Sequence, residues 1–285
     1  MLLVLLAAAA PFAQAQPNGV TAELQLDQDQ YLPGEDLPLT VRIVNRSGQT
    51  ITLGDDNDWI NFEFMGQHQS VVAKLTEMPV KGPFTLLSGQ AVTKAFNPTP
   101  YFGFRHPGVY TLGAIIKLPQ WKQQIICKPL AFTVFEGVPL LNLGSLSFGV
   151  PPPQGVTNAA PEVRHYGLVK VTLLDQMKLY FRLTDNNGAT LRIFPLGRAV
   201  SFGTPEVQLD PANNFHVLFQ TAARTFVYSV VGPNGNLLAR QFHQYTESRP
   251  ALHIADDGRI FVAGGRRLLT MNDIPAPNSG TAKNP

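Results

Sequence analysis

Along residues 20–136, apolar and polar side chains alternate. Leu24 and Leu26 alternate with Glu23 and Gln25, and Leu37, Leu39, Val41 and Ile43 with Pro38, Thr40 and Arg42. Ile60, Phe62 and Phe64 enclose Asn61 and Glu63. Tyr110, Leu112, Ala114, Ile116 and Leu118 run through Thr111, Gly113 and Lys117. A period of two buries one face of a strand and leaves the other wet. Turn dipeptides punctuate the runs: Pro33-Gly34, Ser47-Gly48, Ser88-Gly89 and Pro107-Gly108. No clean helical period is present. The spacing predicts about seven strands in about 115 residues, the size of a β-sandwich.

Residues 161–273 carry a different texture. Pro161-Glu162-Val163, Pro205-Glu206-Val207 and Pro250-Ala251-Leu252 lie 44 and 45 residues apart. After the first come the runs Leu168–Leu174 and Lys178–Leu183, the turn Asp185-Asn186-Asn187-Gly188, and Thr190–Phe194. After the second come Phe215–Phe219, Thr225–Val231, the turn Gly232-Pro233-Asn234-Gly235, and Leu237–Phe242. The third stops after Asp256-Asp257-Gly258 and the run Arg259–Ala263. Asn-Gly between two apolar runs is a hairpin signal, because that turn needs positive φ at both central residues. Residues 137–160 are rich in Pro and Gly and include Pro151-Pro152-Pro153, which read as a stiff connection. Residues 274–285 read as a disordered tail.

The chain opens MLLVLLAAAAPFAQAQ. An apolar run, a helix-breaking Pro11 and then Ala13-Gln14-Ala15 form a secretory signal peptide pattern over residues 1–15, cleaved after Ala15. The run is too short to span a bilayer, and no second apolar run of spanning length follows. The expectation is an exported protein, secreted or periplasmic, without a transmembrane anchor.

Two resemblances follow from these motifs. Tyr31-Leu32-Pro33-Gly34-Glu35-Asp36-Leu37, with Leu39 to Gly48 after it, resembles the opening of extracellular immunoglobulin-like domains of the macroglobulin type. His106-Pro107-Gly108-Val109-Tyr110 is similar to their late corner, which implies a buried Tyr110 ring and an Asn45 closing the second strand. The repeat of 161–273 resembles β-propeller blades. With two and a half copies, it reads as an open meander, or as a sheet completed by the 138–150 strand or by a partner chain. The fold class expected is all-β: an Ig-like β-sandwich over 18–136, then a blade-like antiparallel meander.

Composition narrows the chemistry. The charged fraction is 15% and the net charge is +2, which gives no field suited to nucleic acid. Residues 20–136 hold 9 Lys/Arg against 11 Asp/Glu, and residues 137–285 hold 13 against 9. One cysteine excludes an internal disulfide framework and a cysteine-rich metal centre. No nucleophile elbow, phosphate-binding glycine loop or paired-histidine metal motif is present. Cys127, beside Lys128, reads as a structural thiol.

A few candidates remain. Asp55, Asp56 and Asp58 lie beside Trp59 in one loop and form a candidate Ca²⁺ site, the plainer reading being a solvated loop. Tyr101, Phe102 and Trp121 are candidates for a sugar or peptide platform. Arg266 and Arg267 form an exposed basic pair for an acidic surface. Asp210, His216, His243 and His253 are the residues a hydrolase would gather from separate strands. The leading expectation is a non-catalytic binding or scaffolding protein of the cell envelope, partnered by protein or glycan and needing no cofactor beyond the Ca²⁺ candidate. The alternatives are a hydrolase on the C-terminal β domain and a subunit that pairs edge to edge with another chain.

Overall fold

A computed structural model describes residues 19–104, 106–140, 146–150, 162–173 and 176–274. The leader, the triple proline and the last eleven residues of the tail lie outside them. The chain is all-β: strands joined by turns and three single-turn 3-10 segments among the described residues. No helix in the described residues is long and apolar enough to cross a membrane. The chain divides into two compact units.

The first unit holds β1 (Val20–Leu26), β2 (Gln30–Tyr31), β3 (Leu39–Asn45), β4 (Ile51–Leu53), β5 (Ile60–Met65), β6 (Phe84–Leu86), β7 (Ala91–Phe96), β8 (Gly108–Leu118), β9 (Gln123–Ile126) and β10 (Leu130–Val134). One sheet runs β1-β3-β7, the other β2-β10-β8-β5 with β9 also on β8, and β4 pairs β6. β2 runs parallel to β10, and the remaining pairs are antiparallel.

The alternation read from sequence is the burial pattern. Leu39, Val41 and Ile43 of β3 and Leu112, Ala114, Ile116 and Leu118 of β8 are in one core, while Arg42 and Lys117 stay at the surface. Tyr110 is buried in that core and stacks on Phe132 with centroids 5.5 Å apart. Asn45 ends β3 fully buried. Its amide donates to the carbonyls of Gln49 (2.7 Å) and Leu86 (2.9 Å), and its Oδ1 accepts from Ser47. With both amide hydrogens used inside the fold, the Asn45-Arg46-Ser47 sequon offers no free acceptor nitrogen.

The second unit takes Leu32–Asp36, residues 106 and 107, and the described residues from Phe135 onward. The Pro33-Gly34 turn, which the sequence reads as part of the sandwich opening, therefore groups with the second unit. This unit holds β11 (Val138–Pro139), β12 (Leu146–Val150), β13 (Glu162–Leu173), β14 (Gln176–Asp185), β15 (Thr190–Ala199), β16 (Glu206–Leu209), β17 (Phe215–Ala222), β18 (Thr225–Val231), β19 (Leu237–Gln244), β20 (Ala251–Ile254), β21 (Ile260–Ala263) and β22 (Arg266–Leu268). Within the Pro/Gly-rich stretch, β11 and β12 both pair with β13, so part of the expected connection is strand. Ile274, the first residue of the expected tail, bridges Arg240.

These strands form three layers: β11-β13-β14-β15 with β12 also on β13, then β16-β17-β18-β19-β22, then β20-β21. The first two share a core of Phe148, Tyr166, Phe181, Phe215, Val217, Phe219 and their neighbours. The other face of the middle sheet presents Leu218, Phe226, Tyr228 and Val230 to Leu252 and Ile260 of the third. β17 and β18 are therefore buried on both faces. The two turns predicted from Asn-Gly are hairpins, with Gly188 and Gly235 at φ +79° and +75°, but Asn187 and Asn234 do not share the positive φ expected of both central residues.

Candidate functional site

In the first unit the acid loop and the β8–β9 hairpin line a shallow, open cavity of about 580 Å³. Asp56, Asp58, Lys117, Leu118, Pro119, Lys122, Gln123 and Gln124 line it. The loop is fixed from beneath. Trp59 is buried, and its indole N–H donates to the Val80 carbonyl at 2.7 Å. The Trp59 carbonyl accepts from Lys117 N–H at 2.8 Å. At the loop's start Gly54 sits at φ +88°, and a Cβ there would lie 2.3 Å from the Gly82 carbonyl oxygen. On the hairpin side Lys122 takes a left-handed conformation at φ 51° and its N–H closes on the Pro119 carbonyl. That turn sets Gln124 opposite Lys117 and Gln123 opposite Leu118.

The Lys117 ammonium donates to Asp58 and holds that carboxyl below its ordinary range. Asp55 and Asp56 are exposed on the same loop. Among the described residues no group of three or more His, Cys, Asp or Glu side chains comes together as a metal site.

The aromatic candidates are not gathered into a platform. Phe102 is buried against Phe64 and Phe104. Tyr101 and Trp121 pack partly on the same core, and the Trp121 N–H donates to Gln49 Oε1 at 3.1 Å. Cys127 is buried in that core, and burial pushes its thiol up to about 11. Desolvation disfavours the thiolate there, in keeping with a structural thiol.

In the second unit Asp210 and His216 do meet. Asp210 opens the turn Asp210-Pro211-Ala212-Asn213-Asn214, where its carboxylate accepts from the backbone N–H of Ala212 and Asn214 and from the Asn214 side chain. Asp210 Oδ2 lies 3.1 Å from His216 Nε2, and His216 Nδ1 lies 2.7 Å from Tyr228 Oη. Tyr228 Oη lies 3.4 Å from the Ile260 carbonyl in the third layer. His216 and Tyr228 are both 6% exposed. Burial lowers the His216 pKa against the pull of Asp210, and raises Tyr228 to about 12. Burial also pushes on Asp210, but its hydrogen bonds from Asn214 and His216 keep it low.

The remaining hydrolase candidates lie apart in register. His243 sits opposite Phe226 and Arg267, and His253 opposite Phe261 on the two-stranded sheet. Arg266 donates to Gln244, while Arg267 donates to the Phe242 and Leu268 carbonyls and to Asp273. Arg267 is thus engaged inside its own sheet. Tyr228 and Asn214 were missed by sequence reading. The signal available was the fixed spacing of Asp210, Asn214 and His216 around a turn.

No family model and no curated protein matches the chain. Among solved structures it is similar to Spo0M, a sporulation control protein from Bacillus subtilis, at 12% identity and a TM-score of 0.32, over 64% of this chain and 91% of that one. At that distance the likeness bears on nothing further.

Proposed function

We propose that this protein is a non-catalytic binding or scaffolding protein of the cell envelope, secreted or periplasmic, whose partner is a protein or glycan. The state of Asp210 and His216 supports the non-catalytic reading most. They are the best acid–base pair the sequence offers, and each is spent on a neighbour within the fold. A general base needs a ring nitrogen within reach of a substrate proton. Here Nε2 faces Asp210 and Nδ1 faces Tyr228. The exposed side chains at the β8–β9 cavity supply the contrast, since they face solvent.

The test is to express the whole chain with its leader, fractionate the cells, and assay the processed protein for binding and for hydrolysis. The expected result is an extracytoplasmic protein beginning at Gln16 that retains envelope material and turns over no ester, peptide or glycoside. Cytosolic protein with its leader intact overturns the reading, as does turnover abolished by His216→Ala.

A second reading is favoured by the third layer. Among the described residues it has two strands, and Ile254 and Phe261 are 61% and 46% exposed. We infer a partner-completed β assembly as the alternative. Light scattering decides it: a mass that rises with concentration and falls back on Phe261→Lys supports the assembly, and a constant monomer mass overturns it.

A further inference from the structure

We propose that the cavity between the acid loop and the β8–β9 hairpin binds a neutral saccharide. The inference rests on the binding reading above and names its ligand. The lining charges balance, with Asp56 and Asp58 against Lys117 and Lys122. Within the wall neither sign predominates, so a polyanion or a polycation meets repulsion from half of it, and exposed Asp55 beside it on the loop adds to the repulsion of a polyanion.

The hydrogen-bonding inventory is mixed in the way a ring of hydroxyl groups requires. Asp56 offers acceptors only, Lys122 donors only, and Gln123 and Gln124 both. Asp58 and Lys117 satisfy one another, and the other four polar side chains stand exposed around them. Exposed Pro119 adds apolar surface to the same wall, which suits the C–H face of a sugar ring. The cavity is open and its polar side chains are exposed, so hydroxyl groups of a ligand can make the contacts that solvent would make. Its frame is held by Trp59, Gly54 and the Lys122 turn, so little ordering is required on binding.

The test uses the full processed chain labelled with ¹⁵N. Maltotetraose, cellotetraose and chitotetraose serve as neutral probes; polygalacturonate, polylysine and CaCl₂ serve as charged ones. The expected result is saturable shifts at Lys122, Gln123 and Gln124 with at least one neutral oligosaccharide. Asp56→Ala with Gln124→Ala is expected to weaken that binding tenfold or more without lowering the melting temperature. Lys122→Gly, which suits the left-handed turn, is expected to act in the same direction. The proposal is overturned if no neutral probe shifts these residues, or if only Ca²⁺ or a polyion does. Saccharide shifts confined to other residues overturn the cavity assignment and leave the binding reading standing. Cleavage of a bound probe, seen by mass spectrometry, overturns the non-catalytic reading and leaves the cavity assignment intact.

Discussion

Tyr228 Oη lies 2.7 Å from His216 Nδ1, with both side chains buried. A neutral ring satisfies both of its own nitrogens, and the single Tyr228 hydroxyl proton then goes to the ring at 2.7 Å rather than to the more distant Ile260 carbonyl at 3.4 Å. Nε2–H donates to Asp210, and Nδ1 accepts the Tyr228 hydroxyl. Tyr228→Phe leaves Nδ1 buried without a partner, at a cost of about 1–3 kcal/mol. Because the two groups share one network, a double-mutant cycle with His216→Phe is expected to show a coupling of about 0.5–3 kcal/mol in urea unfolding. Strictly additive losses would show that the contact contributes nothing.

The first unit was legible because its strands bury one face. Leu39, Val41 and Ile43 fall on one side of Thr40 and Arg42, and that alternation survives folding unchanged. The runs of the second unit were also found. What their sequence hid was layering. Phe215-His216-Val217-Leu218-Phe219 reads as an apolar strand with one polar interruption. Its polarity gives no sign that Leu218 meets a third layer while Val217 and Phe219 meet the first. The cavity was half visible. The acid loop stood out as three carboxylates in four residues, but its partners come from the β8–β9 hairpin some sixty positions later. Pairing across that distance is set by sheet register, which no local pattern records.

The layering makes its own prediction. Leu218 belongs to the core shared with Leu252 and Ile260 and is 2% exposed. Leu218→Ala is therefore expected to cost about 2–5 kcal/mol, as for a fully enclosed leucine. A loss under about 0.5 kcal/mol in denaturant unfolding, typical of a surface change, would mean that this face of the middle sheet is wet.

Gly54 tests the frame of the cavity. An added methyl at φ +88° would press on the Gly82 carbonyl and break the approach that lets Gly82 N–H bond the Gly54 carbonyl at 3.0 Å. Gly54→Ala is expected to lower stability by about 1–3 kcal/mol. It should also move the amide resonances of Asp56 and Asp58 together, because both hang from the displaced loop. An unchanged spectrum would place the support of the loop elsewhere.

His243 gives the fold a dependence on pH. It is 6% exposed, and its Nε2 is buried without a partner. Burial, helped by the charge of Arg267 and opposed by Asp273, pushes its pKa down to about 4. An unfolded histidine titrates near 6.5, so as pH falls the unfolded chain takes up the proton first. The contribution of neutral His243 is complete above about pH 6.5 and is lost progressively toward pH 4, roughly 3 kcal/mol in all. His216, whose pKa is also lowered by burial, acts in the same direction. Urea unfolding between pH 7 and about pH 4.5 should therefore show falling stability. His243→Leu should flatten part of that slope and leave stability near pH 7 equal or higher, since the orphaned nitrogen is gone. A variant with the same slope as the parent would assign the acid sensitivity to other groups.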